Sequence, residues 1–264
     1  MQDRGPAAYI AEFVGTLLLV FFVTSAVSVY IPAATAGAPV QTSPDFAVIG
    51  LVHAFALFML IIVFGQVSGG HFNPVVTLAA TALRRIDPVD AVVYILAQLS
   101  GGVLGALLVK GLLLDEGRAG GYGNVEVSDL LSGNFGGGVV EALGTVLLVL
   151  AICAVALNPR ARQEWAPWAI GATLGFAVMI LGPLTGGSFN PARWFGPALI
   201  SDSLDGSDLL VYVLGPIVGA LVAVLVYRFV IAGPQYAEGA EPPTSDVRAV
   251  GQAVKDAEVR TRNQ

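Results

Sequence analysis

The segment SGGHFNPV at residues 68–75 recurs later in the chain as TGGSFNPA at residues 185–192. Asparagine is a preferred helix N-cap and proline is favoured at the first helical position, so each copy predicts the start of a helix. The paired glycines ahead of each asparagine permit backbone conformations that other residues avoid. The chain therefore has two equivalent sites at which an irregular loop turns into a helix.

These two sites lie in a chain with the composition of a membrane protein. Of its 264 residues, 55% are hydrophobic and only 12% are charged, with a mean hydropathy of +0.76, whereas a soluble domain carries about 25% charged residues. No basic patch suggests binding to nucleic acid, and no catalytic triad, carboxylate pair or metal-ligand cluster suggests an enzyme. Six apolar segments are long enough to span a bilayer, at about 8–30, 46–66, 88–113, 135–157, 166–184 and 208–232.

The apolar run that follows each Asn-Pro pair is too short to cross a bilayer. Irregular backbone is tolerated at membrane depth only where it is buried in protein or lines a water-filled cavity. We therefore expect each copy to enter the membrane as a loop and to leave it as a half-helix.

Two further repeats extend the match and divide the chain into halves of about 8–113 and 135–232. Each half holds three spans, an odd number, so the second half must be inverted relative to the first. Both halves lie in one predicted domain, residues 1–234. The additional matches are EFVGT at 12–16 with EALGT at 141–145, and a GxxxG spacing at 101–105 with another at 215–219.

Inversion makes the two half-helix N-termini face each other near the middle of the membrane. Their positive dipole ends oppose the entry of cations, including protons. Capping occupies the side-chain oxygens of Asn73 and Asn190, which leaves their amide N–H groups as donors toward the lumen. The expected acceptors along the rest of the path are the backbone carbonyls of Gly69, Gly70, His71, Gly186, Gly187 and Ser188.

Glu12 and Glu141 are carboxylates in otherwise apolar helices, where they are costly unless they face the protein interior. One interpretation is a proton relay, as in a proton-coupled secondary transporter with inverted repeats. The other is structural: each carboxylate accepts hydrogen bonds from the backbone of one re-entrant loop, and Gln98 gives similar support. One such glutamate per half, matching one loop per half, favours the structural interpretation.

Arginines in the short loops set the expected orientation. They fall on one side of the predicted bundle together with both termini, so we expect both termini in the cytoplasm and the protein in the plasma membrane. Residues 235–264 are polar and are interpreted as a cytoplasmic tail without stable structure. The arginines are Arg84, Arg85, Arg160, Arg162 and Arg228.

The doubled Asn-Pro box, the sequence NPARWFGPA at 190–198 and the two ExxGT segments together resemble the aquaporin, or major intrinsic protein, family over residues 8–232. The resemblance implies an all-α membrane protein with six transmembrane helices and two re-entrant half-helices in an inverted repeat. It also implies a homotetramer with one pore per subunit, and a passive channel with neither cofactor nor metal. The boxes are Asn73, Pro74 and Val75, where valine replaces the usual alanine, and Asn190, Pro191 and Ala192.

The family's selectivity filter has four positions, which counting from each Asn box assigns to His53, Val178, Gly187 and Arg193. With a histidine on the second helix, the filter is similar to that of the tonoplast-type members associated with water and ammonia. A lone histidine on an apolar helix can also be an interior residue whose hydrogen bonds are satisfied within the protein. Trp194 stands where glycerol-type channels carry aspartate, which disfavours glycerol, so a glycerol or small-polyol channel is kept only as the alternative. The resemblance thus implies a channel for water, and for ammonia or other small neutral solutes, that excludes protons and ions.

Overall fold

The computed structural model describes residues 5–31 and 45–232. The predicted tail, residues 235–264, and most of the linker between the first two spans lie outside the described residues. The described segments form α-helices joined by loops, with short 3₁₀ and π segments. The helices are α1 (Pro6–Tyr30), α2 (Asp45–Ser68), α3 (Pro74–Ala82), α4 (Pro88–Leu112), α5 (Leu114–Ala119), α6 (Gly133–Ile152), α7 (Ala166–Thr185), α8 (Pro191–Ile200) and α9 (Gly215–Val226).

Six helices among the described residues are long and apolar enough to cross a membrane. α6 continues as a π segment, Cys153–Leu157, and α9 is flanked by π segments at Leu210–Leu214 and Tyr227–Ala232. Large apolar side chains cover the outside of the bundle, as lipid contact requires. The prediction of a multi-pass membrane protein is confirmed, with spans at Pro6–Tyr30, Phe46–Ser68, Pro88–Leu112, Gly133–Leu157, Gln163–Thr185 and Leu210–Ala232.

The two remaining helices of interest, α3 and α8, have only nine and ten residues. Each begins at a proline that directly follows an asparagine cap, as the sequence predicts. Their N-termini face each other inside the bundle, and the hydrogen bonds described below join them. The fold is thus the all-α arrangement of six spans and two half-helices predicted from the sequence.

Glycines allow the helices within each half to pack backbone to backbone. α1 packs on α4, and α6 packs on α9. A Cβ atom on Gly105 of α4 would lie 2.6 Å from the carbonyl oxygen of Leu17, and one on Gly215 of α9 would lie 2.6 Å from that of Gly138. Glycines of both GxxxG spacings therefore allow close backbone contact, with α1 in the first half and with α6 in the second.

The halves meet through α2 and α7, and through α4 and the half-helix α8. At the first contact, a Cβ on Gly171 would lie 2.5 Å from the carbonyl oxygen of Ala54. At the second, a Cβ on Gly102 would lie 2.5 Å from the carbonyl oxygen of Ala192. Any larger residue at these positions would push the half-helix or the span outward.

The connection between the halves contains structure that the sequence analysis did not predict. The short helix α5 is followed by a 3₁₀ turn, Gly121–Gly123. All three residues of this turn have positive φ, at 56°, 53° and 74°. Two glycines adopt the left-handed region readily, and Tyr122 adopts it between them.

Candidate functional site

The side-chain oxygens of Asn73 and Asn190 cap the two half-helices. Asn73 Oδ1 accepts a hydrogen bond from the N–H of Val75 at 3.0 Å. Asn190 Oδ1 accepts from the N–H of Ala192 at 3.0 Å and, at 3.4 Å, from that of Arg193. Both oxygens are therefore used within their own half-helices.

The amide nitrogens of the same two asparagines reach across to the opposite half. Asn73 Nδ2 donates to the carbonyl of Phe189, and Asn190 Nδ2 donates to the carbonyl of Phe72, both at 2.9 Å. A primary amide has two N–H groups, so each asparagine keeps one donor for another partner. This reciprocal pair was missed by the sequence analysis, because no local signal relates a side chain to a carbonyl in the other half.

The loops that lead into the half-helices have backbone conformations that few residues adopt. In the first loop, Gly69 and Gly70 have φ of 93° and 66°, and in the second, Gly186 and Gly187 have φ of 77° and 62°. The residues just before the asparagines are also left-handed, although they are phenylalanines, with φ of 47° and 49°. Such values are uncommon for a bulky residue and indicate that surrounding contacts hold the loops in place.

Glu12 is fully buried and binds the first loop with both oxygens. Its Oε1 accepts from Ser68 Oγ at 2.6 Å and from the N–H of His71 at 2.9 Å. Its Oε2 accepts from the N–H of Phe72 at 2.7 Å and from Gln98 Nε2 at 2.8 Å. Four donors thus surround one carboxylate, which is the arrangement expected of a loop support.

Glu141 repeats this arrangement in the second half. Its Oε1 accepts from Thr185 Oγ1 at 2.7 Å and from the N–H of Ser188 at 3.0 Å. Its Oε2 accepts from the N–H of Phe189 at 2.6 Å. Because both oxygens are occupied by loop donors, the geometry fits the structural interpretation better than a relay.

Two tyrosines also hold the loops, and the sequence analysis missed both. Tyr94 donates its hydroxyl proton to the carbonyl of Ser68 at 2.8 Å, and Tyr212 donates to the carbonyl of Thr185 at 3.1 Å. Tyr212 precedes its GxxxG spacing by the same interval as Gln98 precedes the first one. Ser68 and Thr185 are equivalent positions of the repeat, so the two tyrosines are counterparts by contact. The GxxxG spacing hides this, because Tyr212 precedes its spacing by three residues and Tyr94 precedes the first one by seven.

A cavity of about 510 Å³ runs past both asparagines. At one end it is lined by His53 and Arg193, and at the other by Arg85, Gln163 and Glu164. Of the predicted carbonyl-bearing residues, four line the cavity: Gly69, Gly70, His71 and Ser188. Gly186 and Gly187 are not among its lining residues; Gly186 packs against Val125 and Gly187 against Val178.

His53 and Arg193 present unpartnered polar atoms at the same end of this cavity. The Nδ1 of His53 lies 2.8 Å from the carbonyl oxygen of Ile49, which can only accept, so Nδ1 carries the proton and Nε2 is an acceptor. Among the described residues, Nε2 of His53 and Nε and Nη2 of Arg193 have no hydrogen-bond partner. Both side chains are only 2% exposed. These atoms therefore offer one acceptor and several donors to a small polar molecule in the cavity.

The remaining donor of Arg193 is held by the left-handed turn between the halves. Nη1 donates to the carbonyl of Gly123 at 2.6 Å. A Cβ on Gly123 would lie 2.6 Å from Cβ of Thr24 on α1, so the turn presses closely on that helix. The run of glycines in the sequence indicates a turn, but nothing in it relates the turn to the arginine.

The described residues contain no group of three or more histidine, cysteine, aspartate or glutamate side chains that could hold a metal ion. Cys153, a free and buried thiol, lines the cavity on the side away from Arg193. The polar groups of this site are hydrogen-bond donors and acceptors aimed at a passage. This arrangement can select and orient a neutral solute.

Comparison with known proteins identifies the family. The model of the family described as Major intrinsic protein matches residues 5–227. The chain is 38% identical over 221 residues to "Glycerol uptake facilitator protein-like 6" of Lactiplantibacillus plantarum, covering 83% of this chain and 96% of the relative. It is 37% identical over 225 residues to "Probable aquaporin TIP2-2" of Oryza sativa subsp. japonica, covering 84% and 86%.

A solved structure shows the same fold. The X-ray structure of the aquaglyceroporin from Plasmodium falciparum superposes with a TM-score of 0.72, at 24% identity, over 85% of this chain and 96% of that one. The resemblance stated from the sequence, including its prediction of a passive channel, is confirmed. The chain belongs to the major intrinsic protein family of membrane channels, whose members are not enzymes.

Proposed function

We propose that the chain is a passive channel for water, with ammonia as a second permeant, and that it excludes protons and ions. The observation that carries the proposal is the cavity that runs from His53 and Arg193 past the cross-bonded asparagines to Arg85. Its lining offers hydrogen bonds without a cluster of ion-binding carboxylates. Such a lining suits a small neutral molecule that exchanges one set of hydrogen bonds for the next.

The asparagine pair supports the exclusion of protons. One N–H of each amide is fixed across the pore, and the other is free to donate to a passing water. A water that accepts from Asn73 and Asn190 turns its oxygen toward them and its hydrogens away, which breaks the chain of hydrogen bonds along which a proton moves. The positive ends of both half-helix dipoles add an electrostatic barrier to cations at the same place.

Two of the four filter positions, His53 and Arg193, line the cavity and support passage of water and ammonia. Either molecule can donate to Nε2 of His53 while it accepts from the guanidinium of Arg193, and the fixed positive charge of Arg193 repels cations. Gly187 contributes no side chain, and a Cβ added to it would lie 3.4 Å from Val178, but neither residue is among those that line the cavity. We assign His53 and Arg193 to the filter on this basis, and Val178 and Gly187 on the counting from the Asn boxes.

Glycerol is the second candidate permeant, because one relative is named as a glycerol uptake facilitator-like protein and another as a probable aquaporin. The proton-coupled transporter considered from the sequence is not retained, since the members of the family are passive channels. Water, glycerol and ammonia must therefore be compared in one preparation.

Purified protein in lipid vesicles, followed by stopped-flow light scattering, tests the proposal. Osmotic shrinkage should be faster than in empty vesicles, and ammonia influx, reported by an enclosed pH dye, should also be faster. Shrinkage at the rate of empty vesicles would refute the water channel. The variant His53→Phe should lower ammonia influx more than water flux, whereas Val63→Phe, on the exposed face of the same helix, should change neither. Equal ammonia influx in both variants would refute the role of His53.

We further propose that the channel assembles as a homotetramer in the plasma membrane, with both termini and the tail, residues 235–264, in the cytoplasm. Arginines at the end of α3 and between α6 and α7 support this orientation. Chemical cross-linking in native membranes should yield a four-fold ladder. Protease added to sealed right-side-out vesicles should leave a C-terminal tag intact, and its removal would reverse the orientation.

A further inference from the structure

We propose that Phe72 and Phe189 are positioning residues of the pore, and that Gly15 and Gly144 lack a side chain so that these two rings can pack against them. Together with Glu12 and Glu141 they form two clasps: the first clasp is Glu12, Gly15 and Phe72, and the second is Glu141, Gly144 and Phe189. Each clasp fixes the carbonyl that holds the asparagine of the opposite half. The inference rests on the proposed water channel and names what maintains its exclusion of protons.

Each clasp holds a phenylalanine at both ends of its backbone. In the second clasp the N–H of Phe189 donates to Glu141 at 2.6 Å, and its carbonyl accepts from Asn73 at 2.9 Å. In the first clasp the corresponding distances, to Glu12 and Asn190, are 2.7 and 2.9 Å. The phenylalanine is thus the link between a buried carboxylate on its own side and an asparagine on the other.

The ring of each phenylalanine lies directly on a glycine. A Cβ atom added to Gly15 would fall closer than 3.0 Å to Cε1, Cδ1 and Cζ of Phe72. A Cβ added to Gly144 would meet the same three atoms of Phe189 at the same range. Both rings are fully buried. The contact is therefore duplicated atom for atom in the two halves, and it leaves no room for any other residue at the glycine.

This contact explains the spacing of the repeated Glu-x-x-Gly motif. Residues three apart on a helix share one face, so a single turn of α1 or α6 presents both the carboxylate and the glycine to the loop. The carboxylate holds the backbone of the phenylalanine and the glycine holds its ring. Two attachments on opposite sides of Cα fix the left-handed φ of 47° at Phe72 and 49° at Phe189, which a bulky residue does not adopt on its own.

The clasps act on the proton barrier across the pore. If the ring of Phe189 leaves Gly144, its carbonyl turns and Asn73 loses the acceptor that fixes its amide plane. The amide is then held only by the cap bond from the N–H of Val75. It can twist about that bond, so its free N–H no longer points steadily at the water file and the file is broken less completely at this point. Water still passes, but the discrimination against protons falls.

The test compares proton and water permeability in the same vesicles, using an enclosed pH dye and light scattering. Gly144→Ala should raise the ratio of proton to water permeability about ten-fold, the factor that corresponds to one lost hydrogen-bond restraint. The control Gly111→Ala, where a Cβ meets nothing within 4 Å, should leave the ratio unchanged. Phe189→Ala should raise the ratio too, and serves if Gly144→Ala does not fold.

The double variant Gly144→Ala with Phe189→Ala separates positioning from general damage. Without the ring there is no clash, so the double variant should behave as Phe189→Ala alone. Additive effects, or water and proton permeability that fall together at a constant ratio in both single variants, would overturn the inference. A wild-type protein that passes no water would instead refute the proposed function, which is read out separately.

Discussion

Replacing Glu141 by glutamine tests whether this carboxylate holds the second loop. Glutamine has the same size and shape, so packing is preserved and only the hydrogen bonding changes. The carboxylate accepts from Thr185, Ser188 and Phe189 with its two oxygens. An amide has one oxygen and one NH2 group, so it cannot accept at both positions.

The cost follows from the two orientations of the new amide. In one orientation, the NH2 group replaces the oxygen that now accepts from the N–H of Phe189 at 2.6 Å. In the other, it replaces the oxygen that now accepts from the N–H of Ser188 at 3.0 Å. Either leaves one buried backbone N–H without an acceptor, which costs about 1–3 kcal/mol, and the surviving bonds lose the contribution of the charge, roughly 1 kcal/mol more. We expect Glu141→Gln to lose about 2–4 kcal/mol of stability, or roughly 5–15 °C in Tm.

Thermal unfolding in detergent measures this loss, and vesicle shrinkage measures its effect on permeation, which should fall as the loop moves. Glu116→Gln, an exposed position on α5, is the matched control and should change neither quantity. A Glu141→Gln protein with wild-type Tm and abolished transport would refute the reasoning, because that pattern is expected of a proton relay that supports no structure.

Three further predictions concern packing, the filter and pH. Gly102→Ala should lower the Tm, because the new methyl group would lie about 2.5 Å from a backbone oxygen of α8. Such overpacking costs about 1–3 kcal/mol of stability. Gly111→Ala, measured in the same way, should be neutral or slightly stabilising. Gly123→Ala should release the guanidinium of Arg193, which donates to the carbonyl of residue 123, and so change the ratio of glycerol to water flux. Gly121→Ala, at an equally left-handed residue where an added Cβ would clash with no neighbour, should change this ratio less. Burial, together with two neighbouring carboxylates, raises the pKa of Asp208, so the ionised side chain lowers the stability of the folded protein. Asp208→Asn should therefore raise the Tm at about pH 7. This gain should disappear near pH 3, where the aspartate is protonated in both the folded and the unfolded state.

The fold could be predicted because its determinants are local or repeated. Each span is a continuous apolar run, and the bounds of the six helices agree with the segments expected from the sequence. Asn73-Pro74 and Asn190-Pro191 start the half-helices by capping rules that act within one turn. The inverted arrangement follows from the odd number of spans in each repeat, which can be counted directly in the sequence.

The parts of the site that sequence could not supply depend on contacts between distant segments. The bonds from each asparagine to a carbonyl of the other half join residues far apart in the chain. The hydrogen bond from Tyr94 to the first loop and the one from Arg193 to the carbonyl of Gly123 also join distant segments. None of them has a local pattern, because a backbone carbonyl carries no residue identity and any sequence can provide one.

The duplicated and unduplicated parts of the chain divide the work of the pore. The asparagines, their acceptor carbonyls and the buried glutamates occur in both halves, and of the donors to these glutamates among the described residues only Gln98 lacks a counterpart. The proposed barrier to protons is therefore nearly symmetric about its centre. The polar pair that we propose for the filter occurs once. The positions equivalent to His53 and Arg193, counted from the other Asn box, are Ile170 and Val76, and both line the same cavity. An inverted repeat with equal halves would place a histidine and an arginine at each end. Here Ile170 and Val76 offer no side-chain hydrogen bonds, so the proposed selection among neutral solutes falls to the end where Arg193 lies.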